Sequence, residues 1–329
     1  MKVPFLVVVG LVSMCSLAVA HPIVDPASGA KVMIVSANLR ESHAEWADDI
    51  TGVAYSDMQT MGEVSNFVEH LEEHLPAPPD VLLLQEVIES SADETAQRLT
   101  DTFEVPYRVV IASDYANEVA GGSFLHKRNV AIIVNTAQIE VVGEVGFFNL
   151  TQRLGDWPSY LYGIAQDQAH ALLRDRAAGV RLGVMSIHWA TNPKFVSQPV
   201  ATARRAEWAR LTRAFMANRF DNADIQVMGG EFNFTRCGSW LETLRCDEQP
   251  AYQALSKGPY QDAVLASSRG SLDEFKRQVE NRNDQQHRID YVFVDGEIRL
   301  ASRSVDYETE KFTPGFFSDH KYDYVLIGS

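Results

Sequence analysis

The chain has 329 residues, of which 46% are hydrophobic and 22% charged, a globular composition that excludes a disordered or collagen-like polymer. Its formal charge of −15 repels polyphosphates at long range and argues against tight, sequence-independent nucleic-acid binding. A bound cation or a local arginine cluster can still reverse that field inside one cleft.

The first twenty residues read as an export leader. Lys2 gives the positive start, Phe5 to Val19 is apolar, and Ala18-Val19-Ala20 fits a small-x-small cleavage pattern. The apolar run is too short to favour a bilayer span. Cleavage after Ala20 is expected, giving an extracellular protein, or a periplasmic one if the source is a Gram-negative bacterium. Removing the leader leaves Cys237 and Cys246, and an oxidising compartment favours their pairing as a disulfide.

Lys31–Ala37 then reads as a strand and Met58–Leu75 as a helix, which Pro76-Ala77-Pro78-Pro79 cannot continue. Asp80–Gln85 is an apolar buried strand and Ala92–Phe103 a second helix. Further strands are expected at Tyr107–Ala112, Asn129–Asn135, Ile139–Val145, Ala171–Arg174, Val180–Ile187 and Ile225–Met228. Ile289–Val294, Ile298–Val305 and Tyr322–Ile327 complete the set, and Pro199–Phe220 is the longest helix candidate. No repeat and no linker splits the chain. The pattern suggests two packed sheets flanked by helices, in one domain spanning residues 21–329.

Six polar clusters stand at the ends of these strands, where loops hold side chains on a rigid frame. They are Ser36-Ala37-Asn38-Leu39-Arg40, Leu84-Gln85-Glu86-Val87, Ser186-Ile187-His188-Trp189, Gly229-Gly230-Glu231-Phe232-Asn233, Arg288-Ile289-Asp290-Tyr291-Val292 and Ser318-Asp319-His320. Oxygen donors such as Glu86, Glu231, Asp290, Asp319, Asn38 and Asn233 suit a hard cation. His188 and His320 can move protons near neutral pH. With no serine or cysteine nucleophile motif, this mixture points to metal-assisted attack by water on a phosphoester. Taken singly, each cluster also fits a solvated turn or a packed core residue, and Asn233-Phe234-Thr235 also reads as a glycosylation sequon.

In their order along the chain, the six clusters resemble the motif set of the endonuclease/exonuclease/phosphatase superfamily, from about Lys31 to Ser329. The resemblance implies a deoxyribonuclease I-like α/β fold, a four-layer sandwich of two packed mixed β-sheets flanked by helices. It implies Mg²⁺ as cofactor, with Mn²⁺ or Ca²⁺ as alternatives, held by Glu86, Asn38 and Asp319, with Asn38 also orienting Glu86 or the substrate phosphate. His320, positioned by Asp290, would act as general base or hold the scissile phosphate. His188 would contact the phosphate or protonate the leaving oxygen. Asn233 would donate to a phosphate oxygen from inside the cleft, leaving its sequon unused.

Two positions depart from the family pattern. The family motif is Gly-Asp-Phe-Asn, whereas this chain has Gly230-Glu231-Phe232-Asn233. On sequence grounds activity is expected to be retained, with Glu231→Asp preserving or raising turnover. The segment Lys127-Arg128-Asn129 is basic where deoxyribonuclease I carries an acid, so Arg128 could grip substrate phosphate or equally mark a solvated strand entry. Arg40, Arg128, Arg174, Arg204 and Arg205 could line a phosphate-binding groove, although Arg204 and Arg205 more often read as a solvated helix face. DNA is the favoured substrate, without a stable nucleic-acid complex, and the protein is expected to be a monomer. A sphingomyelinase or phosphoinositide-type phosphoesterase is the alternative, as is a binding protein or toxin subunit weakened by Glu231.

Overall fold

The computed structural model describes residues 31–39, 57–87, 89–112, 130–150, 167–189, 198–233, 250–267, 290–303 and 322–328. Twelve strands among them form two six-stranded sheets. The first sheet contains β1 (Lys31–Asn38), β2 (Val81–Gln85), β3 (Tyr107–Ala112), β4 (Val130–Asn135), β11 (Glu297–Arg303) and β12 (Asp323–Gly328), in the order β11-β12-β1-β2-β4-β3. The second contains β5 (Ile139–Asn149), β6 (Asp167–Asp175), β7 (Arg181–His188), β8 (Ile225–Glu231), β9 (Gln261–Asp262) and β10 (Asp290–Asp295), in the order β5-β6-β7-β8-β10-β9.

Each sheet has one parallel pair at its centre, β1 with β2 and β7 with β8, and every other pairing is antiparallel. These strands are buried on both faces, which explains why they read as continuous apolar runs such as Val81-Leu82-Leu83-Leu84. Alternation sorts their side chains into two sets. Val32, Ile34, Val81, Leu83, Val184, Val227, Val292 and Val294 form the core between the sheets. The intervening residues face outward under helices.

Helix α1 (Asp57–His74) lays Phe67, Val68 and Leu71 on the first sheet, a spacing that keeps one face apolar. Helix α2 (Glu89–Phe103) joins it through Ala92, Ala96 and Leu99. Helix α3 (Gln198–Arg219) covers the second sheet with Trp208, Ala209 and Met216, beside the short α4 (Pro250–Ser256). The result is the expected four-layer arrangement of helix, sheet, sheet, helix.

Several boundaries move, each for a local reason. Helix α2 begins at Glu89, three residues before the apolar periodicity starts, and its acidic first turn suits a helix amino terminus. β5 and β6 run past their apolar segments, because pairing through Asn149 and Asp167 continues the ladder where hydrophobicity stops. β8 continues through Gly229 and Gly230 to Glu231. Helix α4, the two-residue β9 and the single turn α5 (Ala263–Ser267) are too short to impose a period on the sequence.

Asp80 closes the end of the β1–β2 pair opposite Asn38. Its carboxylate accepts the Met33 N–H at 2.8 Å while its own N–H donates to the Met33 carbonyl. Burial pushes its carboxyl up to about 6, opposed by the Met33 amide and reinforced by the Asp175 carboxylate. The folded state therefore holds this proton more tightly than the unfolded chain does. Stability from this group is fully present below about pH 4 and declines as pH rises through 6. Asp80→Asn should keep the Met33 bond and stabilise the protein by up to about 2 kcal/mol above pH 6, after allowance for partial solvent screening. Denaturant unfolding at pH 4 and pH 7.5 checks this, since the gain should vanish at about the lower pH.

Candidate active site

The carboxyl ends of both central parallel pairs open at the same rim of the sandwich. Side-chain alternation then decides what points into the cleft. Ser186 and His188 on β7 face the first sheet, whereas Ile187 and Trp189 pack under α3. On β8, Gly229 and Glu231 face inward while Met228 and Phe232 face the helices. Asn38 follows Ile34 and Ser36 on the inner face of β1, and Asp290 precedes Val292 on that of β10.

Glu86 breaks the rule. Continuing β2, it belongs with Leu82 and Leu84 on the helix-covered face. Its backbone adopts φ 55°, a left-handed conformation uncommon outside glycine, and this turns the carboxylate inward. Asn233, at the exit of β8, is held similarly at φ 49°. Gly230, which precedes Glu231 on β8, has φ 148°, and a Cβ there would lie 1.9 Å from the Ile187 carbonyl oxygen. Only glycine lets β8 approach β7 closely enough to present Glu231. Strain of this kind concentrates at functional sites.

The imidazole of His188 sits between two acids. Its Nε2 lies 3.3 Å from Glu231 Oε2 and 3.8 Å from Glu86 Oε1. Side-chain exposure is 15% for His188 against 8% for Glu86 and 5% for Glu231, so the ring is the solvent-facing member. Asn38 Nδ2 donates to Glu231 Oε2 at 2.6 Å, crossing from one sheet to the other. By this bond Asn38 also holds the Glu231 carboxylate in place. Asn233 is buried and donates its Nδ2 to the Trp189 carbonyl. Asp290 is buried opposite Glu231 in the β8–β10 register.

Beneath the cluster a buried polar bridge pins the sheets together. Gln85 Nε2 donates to Ser186 Oγ at 3.0 Å, and that hydroxyl donates to the Leu84 carbonyl at 2.8 Å. Gln85 immediately precedes Glu86, and Ser186 lies two residues before His188. Sequence reading missed this bridge, although a polar residue at each inward strand position was its signal.

Glu86, His188 and Glu231 each offer one ligand atom, and these atoms lie within 4.8 Å of one another. Ligands about 2.1 Å from a shared ion sit roughly 3 to 4 Å apart, so the 3.3 and 3.8 Å separations fit a divalent cation. Two carboxylates and an imidazole are also suitable donor chemistry. Asn38 adjoins this group, while Asp319, His320 and Arg128 lie outside the described residues. So do Cys237, Cys246, the leader and the Ser318-Asp319-His320 segment as a whole.

Arg204 and Arg205 do not form the solvated face expected of them. Both are half-buried on α3, and Arg204 lies over the Trp208 ring at 5.9 Å. Burial brings the Arg205 guanidinium down to about 10, with Arg204 adding to the effect and Glu231 opposing it. A desolvated cation pair therefore borders the acidic cluster. Trp208 in turn packs edge-on against Trp189, whose ring centroid is 5.9 Å away.

Among solved structures, the chain resembles an endonuclease/exonuclease/phosphatase family protein from Bacteroides thetaiotaomicron. Identity is 15%, the TM-score is 0.58, and the match covers 92% of this chain and 99% of that one. It also resembles D. rerio TDP2 humanised by 14 mutations, at 12% identity and TM-score 0.59, covering 91% and 99% of the two chains. A third likeness is to a mannosyl-6-phosphatase from Bacteroides thetaiotaomicron VPI-5482, at 18% identity and TM-score 0.55, covering 90% and 99%. At such identities the likeness is one of fold. No curated protein matches the chain in sequence. The family pattern itself matches residues 56–320, a span that takes in Glu86, His188, Glu231, Asp290 and His320, and the chain belongs to the Endonuclease/Exonuclease/phosphatase family.

Proposed function

We propose that this chain is a divalent-metal-dependent phosphodiesterase acting on DNA, exported by its amino-terminal leader. The observation that carries the reading is the convergence of Glu86, His188 and Glu231 at one rim between the sheets. Glu86 is the principal cation ligand in this reading, assisted by Asn38 and by Asp319. A divalent cation supplies positive charge to the phosphate oxygens when bound. His188, the most exposed of the three, contacts the phosphate or protonates the leaving oxygen. Glu231, held by Asn38, orients the attacking water, and His320 takes its proton or holds the scissile phosphate. An amide nitrogen carries two hydrogens; Asn233 spends one on Trp189 and directs the other to a phosphate oxygen, where charge builds in the transition state. Asp290 positions His320.

The half-buried Arg204 and Arg205 support an anionic substrate at this rim. An acidic protein with few such cations meets DNA through a short contact rather than a long phosphate track. Phosphoester chemistry also suits the fold, which a mannosyl-6-phosphatase shares. The aromatic segments that a lipid substrate would need, Trp157 to Tyr160 and Phe316-Phe317, lie outside the described residues.

Purified protein should nick plasmid DNA in Mg²⁺ or Mn²⁺ and stop when a chelator is added. Cleavage of sphingomyelin or phosphoinositide with DNA left intact would overturn the substrate choice, and turnover of no phosphoester would make the chain a binding protein. Glu86→Gln and His188→Gln should each lower kcat about a hundredfold or more. Wild-type rates in both would remove the site.

Glu231→Asp tests the departure from the family motif. The side chain is used at full length, reaching Asn38 and His188 at once. Shortening it withdraws the carboxylate by roughly an ångström, so kcat should drop about tenfold to a hundredfold. This reverses the expectation from sequence, and turnover at or above wild type would restore it.

A further inference from the structure

We infer that Gln168 is a positioning residue for His188, acting as a substitute strand. This rests on the proposed role of His188. Strand β6 pairs with β7 only as far as Ala169 opposite Ser186. Beyond that point the ladder stops, yet β7 continues to His188. On its other side β7 pairs with β8, and the Trp189 N–H donates to the Glu231 carbonyl at 2.9 Å. Successive residues of a strand turn their backbone polar groups to opposite sides. The N–H and C=O of His188 therefore point away from β8, towards the place where β6 has left the ladder.

The Gln168 side chain fills that place. The His188 N–H donates to Gln168 Oε1 at 2.7 Å, and Gln168 Nε2 donates to the His188 carbonyl at 3.3 Å. Gln168 is completely buried, so its amide depends on these partners. A planar amide carries one acceptor and one donor edge, as a peptide group does. It can replace both missing ladder bonds while its own backbone stays paired with Phe148 of β5. Phe148 in turn stacks on Phe215 of α3 at 4.1 Å, which ties this end of β5 to the helix layer. The backbone of His188 is thus fixed on one side by a strand and on the other by a single side chain. Gln168 touches no reacting atom. It sets where the imidazole stands relative to Glu86 and Glu231.

Two variants of the full chain separate this role from general packing. Gln168→Met keeps the volume and loses both bonds. Gln168→Glu keeps both while its carboxyl is protonated, because a carboxylic acid also offers one donor and one acceptor. Once ionised it becomes an acceptor only and faces the His188 carbonyl. Burial raises that introduced carboxyl above its ordinary value of about 4.3. The wild-type site has a pH dependence of its own, so the ratio of variant to wild-type rate isolates the new group.

With bis-para-nitrophenyl phosphate and Mn²⁺, Gln168→Met should lower kcat about tenfold to a hundredfold and leave KM within about twofold. Gln168→Glu should approach the wild-type rate in mild acid and lose it relative to wild type as pH rises. The histidine Cε1–Hε1 NMR signal that disappears in His188→Gln should be sharp in the wild type and broadened or displaced in Gln168→Met. A wild-type kcat and an unchanged His188 signal in Gln168→Met would overturn the inference. A loss in Gln168→Glu that is the same at every pH would do so too, and this arm stands even if Gln168→Met does not fold. Should wild-type protein hydrolyse no phosphodiester, the proposed function fails by itself, and the His188 signal still decides whether Gln168 holds the ring.

Discussion

Two buried acids share one imidazole, and this arrangement sets the terms for everything around it. Removing an ionised carboxylate from water costs several kcal/mol even after relaxation. Two of them about 4 Å from a common point also repel by an amount on the order of a few kcal/mol at the effective dielectric of protein sites. Glu86 and Glu231 tolerate this because the surroundings answer in kind. Asn38 donates across the cleft to Glu231, His188 lies between the acids, and Arg205 approaches Glu231 from α3. A divalent cation would answer the charge most fully. The same repulsion that makes the cluster costly to fold makes it selective for positive charge.

The frame must resist that cost, and it does so with a dry core and a few internal polar bonds. Val184, Val227, Val292 and Val294 exclude water between the sheets, next to the cleft. Gln85 and Ser186 tie the two layers together one step below Glu86 and His188. Buried polar pairs of this type contribute modest net stability but penalise any slip that leaves them unsatisfied. A slide of one sheet over the other would strand Gln85 and Ser186 and separate Glu86 from His188. Register and site geometry are therefore one constraint.

Much of this was legible beforehand. Apolar runs and proline breaks located the long elements, and the motif order implied the fold class. Strict alternation would have placed Asn38, His188, Glu231 and Asp290 on inner faces. It would have placed Glu86 on the outer face, with Leu82 and Leu84. A single left-handed residue undoes the period, and nothing in Leu84-Gln85-Glu86-Val87 announces it. The burial of Arg204 and Arg205 was hidden for a different reason. Charge on a helix suggests solvent, and only the packing of Trp208 on Trp189 shows which way α3 turns. Gln168 was invisible because its role depends on where a neighbouring ladder ends, a tertiary fact with no local signal.

That helix joins the two halves of the charge distribution. Trp208 packs on Trp189, the residue after His188, and Arg204 lies over the same Trp208 ring. Arg205, next in sequence, is held close enough to Glu231 to feel its charge. The packing that seats α3 on the second sheet therefore also fixes the distance between the guanidinium pair and the acidic cluster. A phosphate entering the rim would meet the cation side and the acid side in a set geometry, within a protein whose overall charge is −15. Long-range repulsion from that charge limits binding to groups that reach the rim itself. Local positive charge then acts only at short range, where it can assist the reaction without holding a polyanion along its length.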